Sequence, residues 1–133
     1  MKTLRGYISS RSFMGERVAQ HVQNTILRDY CIKKEARYLL SGTEYAMKDS
    51  YLMLNELVYE IPKTDGIVAF SLFQLSEDKN IRIGLYKEIL ARGGEFHFAL
   101  EDISITNEEE VNRVENIWMV RQILPSCITY VKN

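Results

Sequence analysis

Short apolar runs alternate along this chain with longer segments in which apolar residues return every three or four positions. Leu4 to Ile8 reads as a first strand, closed by the polar run Ser9-Ser10-Arg11-Ser12. From Gly15 to Lys33, Val18, Val22, Ile26 and Tyr30 recur at four-residue spacing with Ala19 and Leu27 beside them, one face of an amphipathic helix. Ala36 to Leu40 is a second strand, broken by Ser41-Gly42-Thr43. A helix beginning at Met47 or Ser50 runs to Ile61, where Pro62 closes it because proline supplies no backbone N–H. After the turn Thr64-Asp65-Gly66, the uninterrupted run Ile67-Val68-Ala69-Phe70 suits a central parallel strand covered on both faces. Asp78 to Arg92 is a third helix, with Ile81, Leu85, Ile89 and Leu90 turned inward and Gly93-Gly94 as its stop. Glu95 to Leu100 is a fourth strand. Asn107 offers an N-cap to a last helix whose first turn holds Glu108, Glu109 and Glu110, where the helix dipole favours negative charge. Val111, Val114, Ile117, Trp118 and Leu124 carry that helix to Pro125. Residues 126–133 are left as a short tail with strand character at Cys127 to Val131. Strand and helix in strict alternation require crossovers. The expected fold is therefore a single α/β domain over residues 1–133, with a mainly parallel sheet of four or five strands flanked by helices.

Composition leaves that picture intact. A chain of 133 residues with 46% hydrophobic and 26% charged positions has the length of one domain and can build a core without disulfides or metal. The net charge of -1 lacks the basic excess by which nucleic-acid binders displace counterions, so no nucleic-acid partner is expected. The charge is uneven. Residues 1–50 hold nine Lys/Arg against five Asp/Glu, and residues 51–133 hold eight against thirteen. No secretory leader and no run of about 18 apolar residues is visible, so the expected location is the cytoplasm, away from membranes. Cys31 and Cys127 form no C-x-x-C pair and read as reduced, mostly buried thiols. His21 and His97 stand in no metal-binding spacing, and neither a metal nor a cofactor is implied.

Ligands of open parallel sheets bind beyond the carboxyl ends of the strands. That rule selects Ser9, Ser10, Arg11 and Ser12 after the first strand, and Ser41, Thr43 and Glu44 after the second. After the third it selects Ser71 and Gln74, and at the fourth Glu101 with His97 just before it. Arg11, together with Arg17 in the expected first turn of the first helix, would hold a phosphate or carboxylate through guanidinium forks and free N–H groups. His21, Glu44, Glu101 and His97 are the candidate proton-transfer groups. Structural readings stand beside these: serines capping a helix, histidines satisfied in the interior, and Trp118 as a packing anchor or dimer contact.

The runs Gly6-Tyr7-Ile8-Ser9-Ser10-Arg11, Gln20-His21-Val22-Gln23-Asn24 and Tyr38-Leu39-Leu40-Ser41 resemble the bacterial sporadic carbohydrate cluster protein family. So do Ser71-Leu72-Phe73-Gln74-Leu75, His97-Phe98-Ala99-Leu100-Glu101 and Ile117-Trp118 with Arg121-Gln122. The resemblance covers essentially the whole chain. It implies a setting among genes for surface polysaccharides and no particular reaction. The order of elements also resembles, more distantly, the N-terminal catalytic domain of serine recombinases (resolvases and invertases). Those enzymes open with Y-x-R-x-S, whose serine attacks DNA, and carry L-D-R-L-x-R after the third strand. Here Ser9 stands for the first arginine, Arg11 for the nucleophile, and Gln74 and Glu77 for the two later arginines. Ser10 or Ser12 could replace the nucleophile after a one-residue shift, but the phosphate clamps would still be missing. Recombination of DNA is therefore not expected.

The leading expectation is a small protein of surface-carbohydrate synthesis. It would bind an anionic sugar or sugar phosphate through Ser9, Ser10, Arg11, Arg17, Ser41, Ser71 and Gln74, with acid–base chemistry such as isomerisation, epimerisation or elimination. The rival is a non-catalytic partner or regulator, a homodimer or higher oligomer on a degenerate recombinase-like scaffold.

Overall fold

The computed structural model describes residues 1–10, 17–45 and 51–132, with side chains as far as Arg121. The strands are β1 (Thr3–Ser9), β2 (Arg37–Glu44), β3 (Gly66–Ala69), β4 (Glu95–Phe98) and β5 (Ile103–Ile105). The helices are α1 (Gln20–Lys33), α2 (Leu52–Glu60), α3 (Lys79–Ala91) and α4 (Glu109–Lys132), with one 3-10 turn at Leu72–Gln74. The sheet is five-stranded in the order β2-β1-β3-β4-β5. Its first three pairings are parallel, and β5 returns antiparallel to β4.

β3 occupies the centre because each of its four residues is apolar or lacks a side chain, and all four are buried. Gly66 pairs with Glu95 of β4. A Cβ there would lie 2.3 Å from the Glu95 carbonyl oxygen, so only glycine permits this register. Tyr7, Ile67, Ala69, Phe96 and Phe98 point to the face covered by α2, α3 and α4. Leu4, Ile8, Val68 and Phe70 point to the other, where Leu27, Tyr30 and Cys31 of α1 cover them.

Several expectations change. β2 does not break at Ser41-Gly42-Thr43 but runs to Glu44, and its register on β1 shifts between Arg5 and Tyr7, so a bulge absorbs the residues that look like a turn. α1 starts at Gln20 rather than Gly15, which leaves Arg17 outside the helix; Gly15 lies beyond the described residues. The inward face of α1 is Gln23, Leu27, Tyr30 and Cys31, with Val22 exposed. On α3 the buried residues are Arg82, Tyr86 and Ile89, whereas Ile81 is 55% exposed. The tail is not a strand: α4 continues through Pro125 to Lys132. Proline inside a helix removes the single hydrogen bond its N–H would have made, and here the helix carries on past that gap.

Other signals act as expected. α3 ends in a Schellman turn, with Gly94 N–H donating to the Ile89 carbonyl, Gly93 N–H to that of Leu90, and Gly93 at φ +80°. Asn107 Oδ1 accepts from Glu110 N–H at 3.2 Å, while the Glu110 carboxylate accepts from Thr106 N–H, a reciprocal cap on α4.

Ile89, Leu85 and Leu90 do face the core, and the exchange of Arg82 for Ile81 at the start of α3 has a clear cause. Arg82, only 3% exposed, makes a two-point ion pair with Glu115 of α4 at 2.9 and 2.7 Å and donates to the carbonyls of Ser76 and Glu77. Its guanidinium lies 4.0 Å over the Trp118 ring, and Tyr86 donates to the same Glu115 carboxylate. The two charges that meet here, Arg82 and Glu115, are paired with each other, as burial demands. Glu115→Ala should therefore destabilise the fold by about 3–5 kcal/mol by leaving Arg82 buried and unpaired, whereas Arg82→Met with Glu115→Leu should cost much less. Urea unfolding of the two variants checks the difference.

Candidate functional site

At the carboxyl end of the parallel strands, backbone geometry gathers the end of β1, the entry to α1, the 3-10 turn after β3 and the β4–β5 turn. One hydrogen-bonded chain crosses all four. Gln23 Nε2 donates to the Ser9 carbonyl at 2.7 Å and to that of Val18 at 2.9 Å, while Ser9 N–H donates back to Gln23 Oε1 at 3.1 Å. Gln74 Nε2 donates to the same Gln23 oxygen at 2.9 Å, and Ser71 N–H donates to Gln74 Oε1 at 3.2 Å. Glu101 closes the chain by accepting from Ser71 Oγ–H and from Leu72 N–H, both at 2.7 Å. Ser9, Gln23, Ser71 and Gln74 are essentially inaccessible to solvent.

Glu44, at the end of β2, is also buried. Its carboxylate accepts from Met53 N–H at 3.0 Å and from the Tyr7 hydroxyl at 3.4 Å. Because Tyr51, the residue before α2, offers no side-chain cap, Glu44 supplies from the neighbouring strand the acceptor that the first turn of α2 needs. Ser10 donates through N–H and Oγ to the Glu44 carbonyl, extending the β1–β2 pairing. Ser41 donates to Asn24 Oδ1 at 2.9 Å, as does Tyr38 at 2.6 Å, which fastens α1 to β2 below the strand ends.

The histidines are elsewhere. His21 is exposed on α1. His97 lies beneath α1, with Nε2 2.9 Å from Glu95 Oε1 and Nδ1 2.7 Å from the Tyr30 hydroxyl. With Nε2–H donating to the carboxylate, Nδ1 accepts from tyrosine, and Lys2 pairs with the same Glu95. Burial holds the imidazole below its usual 6.5, with Glu95 acting against that shift. Burial raises the Glu101 carboxyl above 4.5, although the Leu72 N–H and Ser71 hydroxyl favour its charged form.

The sequence-selected groups thus fall into three sets. Ser9, Ser71, Gln74 and Glu101 come together; Ser10 and Glu44 sit beside one another at the β1–β2 edge; His21, His97 and Ser41 lie apart from both. Arg17 is exposed in the segment leading into α1, and Arg11 lies outside the described residues. Sequence reasoning missed Gln23, the hub of the chain. Its signal was a polar residue four positions before Leu27 on what became the buried face. It also missed Arg121, whose guanidinium lies 5.9 Å from the centre of the Phe73 ring and acts electrostatically on Glu101. Among the described residues no group of His, Cys, Asp or Glu is arranged to hold a metal ion, and no helix is long and apolar enough to cross a membrane.

The fold has solved counterparts. A resolvase family site-specific recombinase from Streptococcus pneumoniae superposes with a TM-score of 0.63 over 98% of this chain and 99% of that one, at 8% identity. The N-terminal catalytic domain of TP901-1 integrase gives 0.64 over 90% and 98%, at 16% identity. The fold is resolvase-like. At such identities the likeness is one of architecture alone. No family model matches the chain, and no curated protein does. Of the two positions where the resolvase motif would place arginines, Gln74 is buried in the hydrogen-bonded chain, and Glu77 is exposed with its carbonyl accepting from Arg82.

The two titrating groups give opposite pH signatures. His97 has a depressed folded-state value, so its contribution to stability is present above pH 6.5 and is lost as pH falls through the folded value. Glu101 is raised, so its contribution is present below pH 4.5 and is lost as pH rises through the folded value. In urea unfolding between roughly pH 4 and 8, the advantage of wild type over His97→Gln should shrink on acidification. Over the same range Glu101→Gln should gain on wild type as pH rises.

Proposed function

We propose that this chain is a non-catalytic binding domain on a resolvase-like scaffold, acting in the cytoplasm in the synthesis of surface carbohydrates, and that it neither recombines DNA nor converts a sugar. The observation that carries this reading is the pairing of three candidate proton-transfer groups, two at the strand ends and His97 beneath α1. Glu101 accepts from Ser71 and Leu72, Glu44 caps α2, and His97 is bonded through both nitrogens. A general acid or base must reach the proton it transfers, and these three are engaged by neighbouring side chains or the backbone instead, while His21 is exposed on α1 apart from them. The sequence resemblance to sporadic carbohydrate cluster proteins supports the setting. Gln74 and Glu77 in place of the phosphate-gripping arginines support the loss of recombinase chemistry, and the net charge of -1 argues against a nucleic-acid partner. Assembly as a homodimer or higher oligomer along α4 belongs to the same reading, and the exposure of Met119 and Val120 on that helix supports it.

A second reading keeps an anionic sugar or sugar phosphate as ligand at the strand ends, without turnover. Arg17 and Arg121 favour it. The first is exposed at the entry to α1, and the second reaches Phe73 and Glu101 at the same end of the sheet.

A panel of sugar phosphates, nucleotide sugars and sugar acids tests both readings. The expected outcome is no product from any of them. A ligand held by Arg17 and Arg121 at about 100 times its dissociation constant should stabilise the fold by roughly 2.7 kcal/mol in a thermal-shift assay. That shift should disappear in Arg17→Ala with Arg121→Ala. Product formed by wild type and lost in a folded Glu101→Gln or Glu44→Gln variant overturns the non-catalytic reading.

A further inference from the structure

The exchange of Arg82 for Ile81 has a second consequence. With Arg82 turned inward, Ile81 is turned out into a cleft of ≈ 740 Å³ between α2 and α3. Leu52 and Tyr59 of α2 form the opposite wall and are each 71% exposed, and Leu85 continues the apolar lining. Gly84 stands between Ile81 and Leu85 in the interior of α3. Glycine weakens a helix more than any residue except proline, so a steric reason for it is normally found nearby. Among the described residues there is none: a Cβ built on Gly84 meets nothing within 4 Å. The missing side chain leaves the cleft open to an outside backbone.

Charge specifies that visitor. Of the charged residues lining the cleft, Arg82 is closed in its ion pair with Glu115, and Glu88 is half exposed beside Arg92. Arg92 is itself held by Glu88 and lies over the Tyr59 ring. Glu56 shares the face of α2 that carries Leu52 and Tyr59, and Glu77 and Asp78 lead into α3, all three exposed. Lys79, two residues before Ile81, projects from the opposite side of the helix. Lys87, three residues after Gly84, is the one exposed base flanking the lining of α3, against the three acids Glu56, Glu77 and Asp78, so the surroundings of the apolar floor are acidic on balance.

We propose that the α2–α3 cleft is the docking site for an amphipathic helix of a partner protein, apolar along one face and flanked by Lys or Arg. This rests on the binding-domain reading above and names the class of partner. Apolar anchors at i, i+3, i+4 and i+7 would lie against Leu52, Tyr59, Ile81 and Leu85, with the partner's backbone passing over Gly84 and its cations facing Glu56, Glu77 and Asp78.

The test uses the full chain and a synthetic helix of about 15 residues, with leucines on one face and lysines flanking them. The same helix with glutamates in place of lysines is the control. Fluorescence anisotropy at about 0.15 M salt should show the lysine peptide binding at least about tenfold more tightly than the glutamate peptide. Gly84→Gln fills the cleft in a helix-favouring way, so it should raise the melting temperature while weakening the lysine peptide at least about tenfold. Ile81→Lys should weaken it as well. Equal binding of the two peptides, or unchanged binding to Gly84→Gln, overturns the proposal. Sedimentation that shows the chain associating with itself, and Gly84→Gln abolishing that association, also overturns it, because the occupant is then a second copy. A failed peptide without sugar turnover removes this cleft and leaves the binding-domain reading standing. Sugar turnover removes that reading whatever the peptide does.

Discussion

A single buried amide, that of Gln23, determines how the carboxyl end of the sheet is organised. It meets the backbone of Ser9 in both directions, reaches the carbonyl of Val18, and accepts from Gln74. A buried polar side chain is tolerable only when nearly all its hydrogen-bonding capacity is used, and using it fixes where α1 begins relative to β1. α1 enters the sheet at the height that brings Leu27, Tyr30 and Cys31 over Leu4, Ile8, Val68 and Phe70. From Gln74 the constraint passes to Ser71 and then to Glu101, so the turn after β3 and the hairpin that ends the sheet are held by the same chain of bonds.

That dependence separates this chain from a fold that merely carries a site. On a resolvase-like scaffold the strand ends are where chemistry would be placed, and here the polar groups that gather there serve one another. The buried Arg82–Glu115 pair belongs to the same logic. It draws a charge into the body of the protein, fastens α3 to α4 against Trp118, and pushes an isoleucine outward.

Much of this was legible in the sequence, and the failures share a cause. The α/β alternation, the central strand at Ile67-Val68-Ala69-Phe70, the Gly93-Gly94 stop and the Asn107 cap rest on local chemistry and appear in the structure. Ser41-Gly42 looked like a turn because a bulge and a turn use the same residues, and only pairing with β1 distinguishes them. Leu27, Tyr30, Ile89, Leu85 and Leu90 face inward as periodicity assigns them, but Val22 and Ile81 do not. Gln23 and Arg82, which periodicity assigns to the outside, are inside with partners distant in sequence. β5 is too short, at three residues, to announce itself by alternation. In the candidate site, the convergence of Ser9, Ser71, Gln74 and Glu101 followed from the strand-end rule. That they converge on each other, through Gln23, depends on a side chain the rule does not consider.

The two sides of the sheet are unequal. Among the described residues, seventeen build the core under α2, α3 and α4, and seven build the one under α1. A layer held by one helix and a small apolar cluster separates from the rest at lower free energy than a layer held by three. α1 is therefore the element whose amides exchange with solvent through partial opening, before global unfolding exposes β3. Since Gln23 travels with α1, each such opening also releases the amide of Gln74 and the backbone of Ser9, and for that moment the strand ends present to solvent the polar groups that the closed fold keeps to itself.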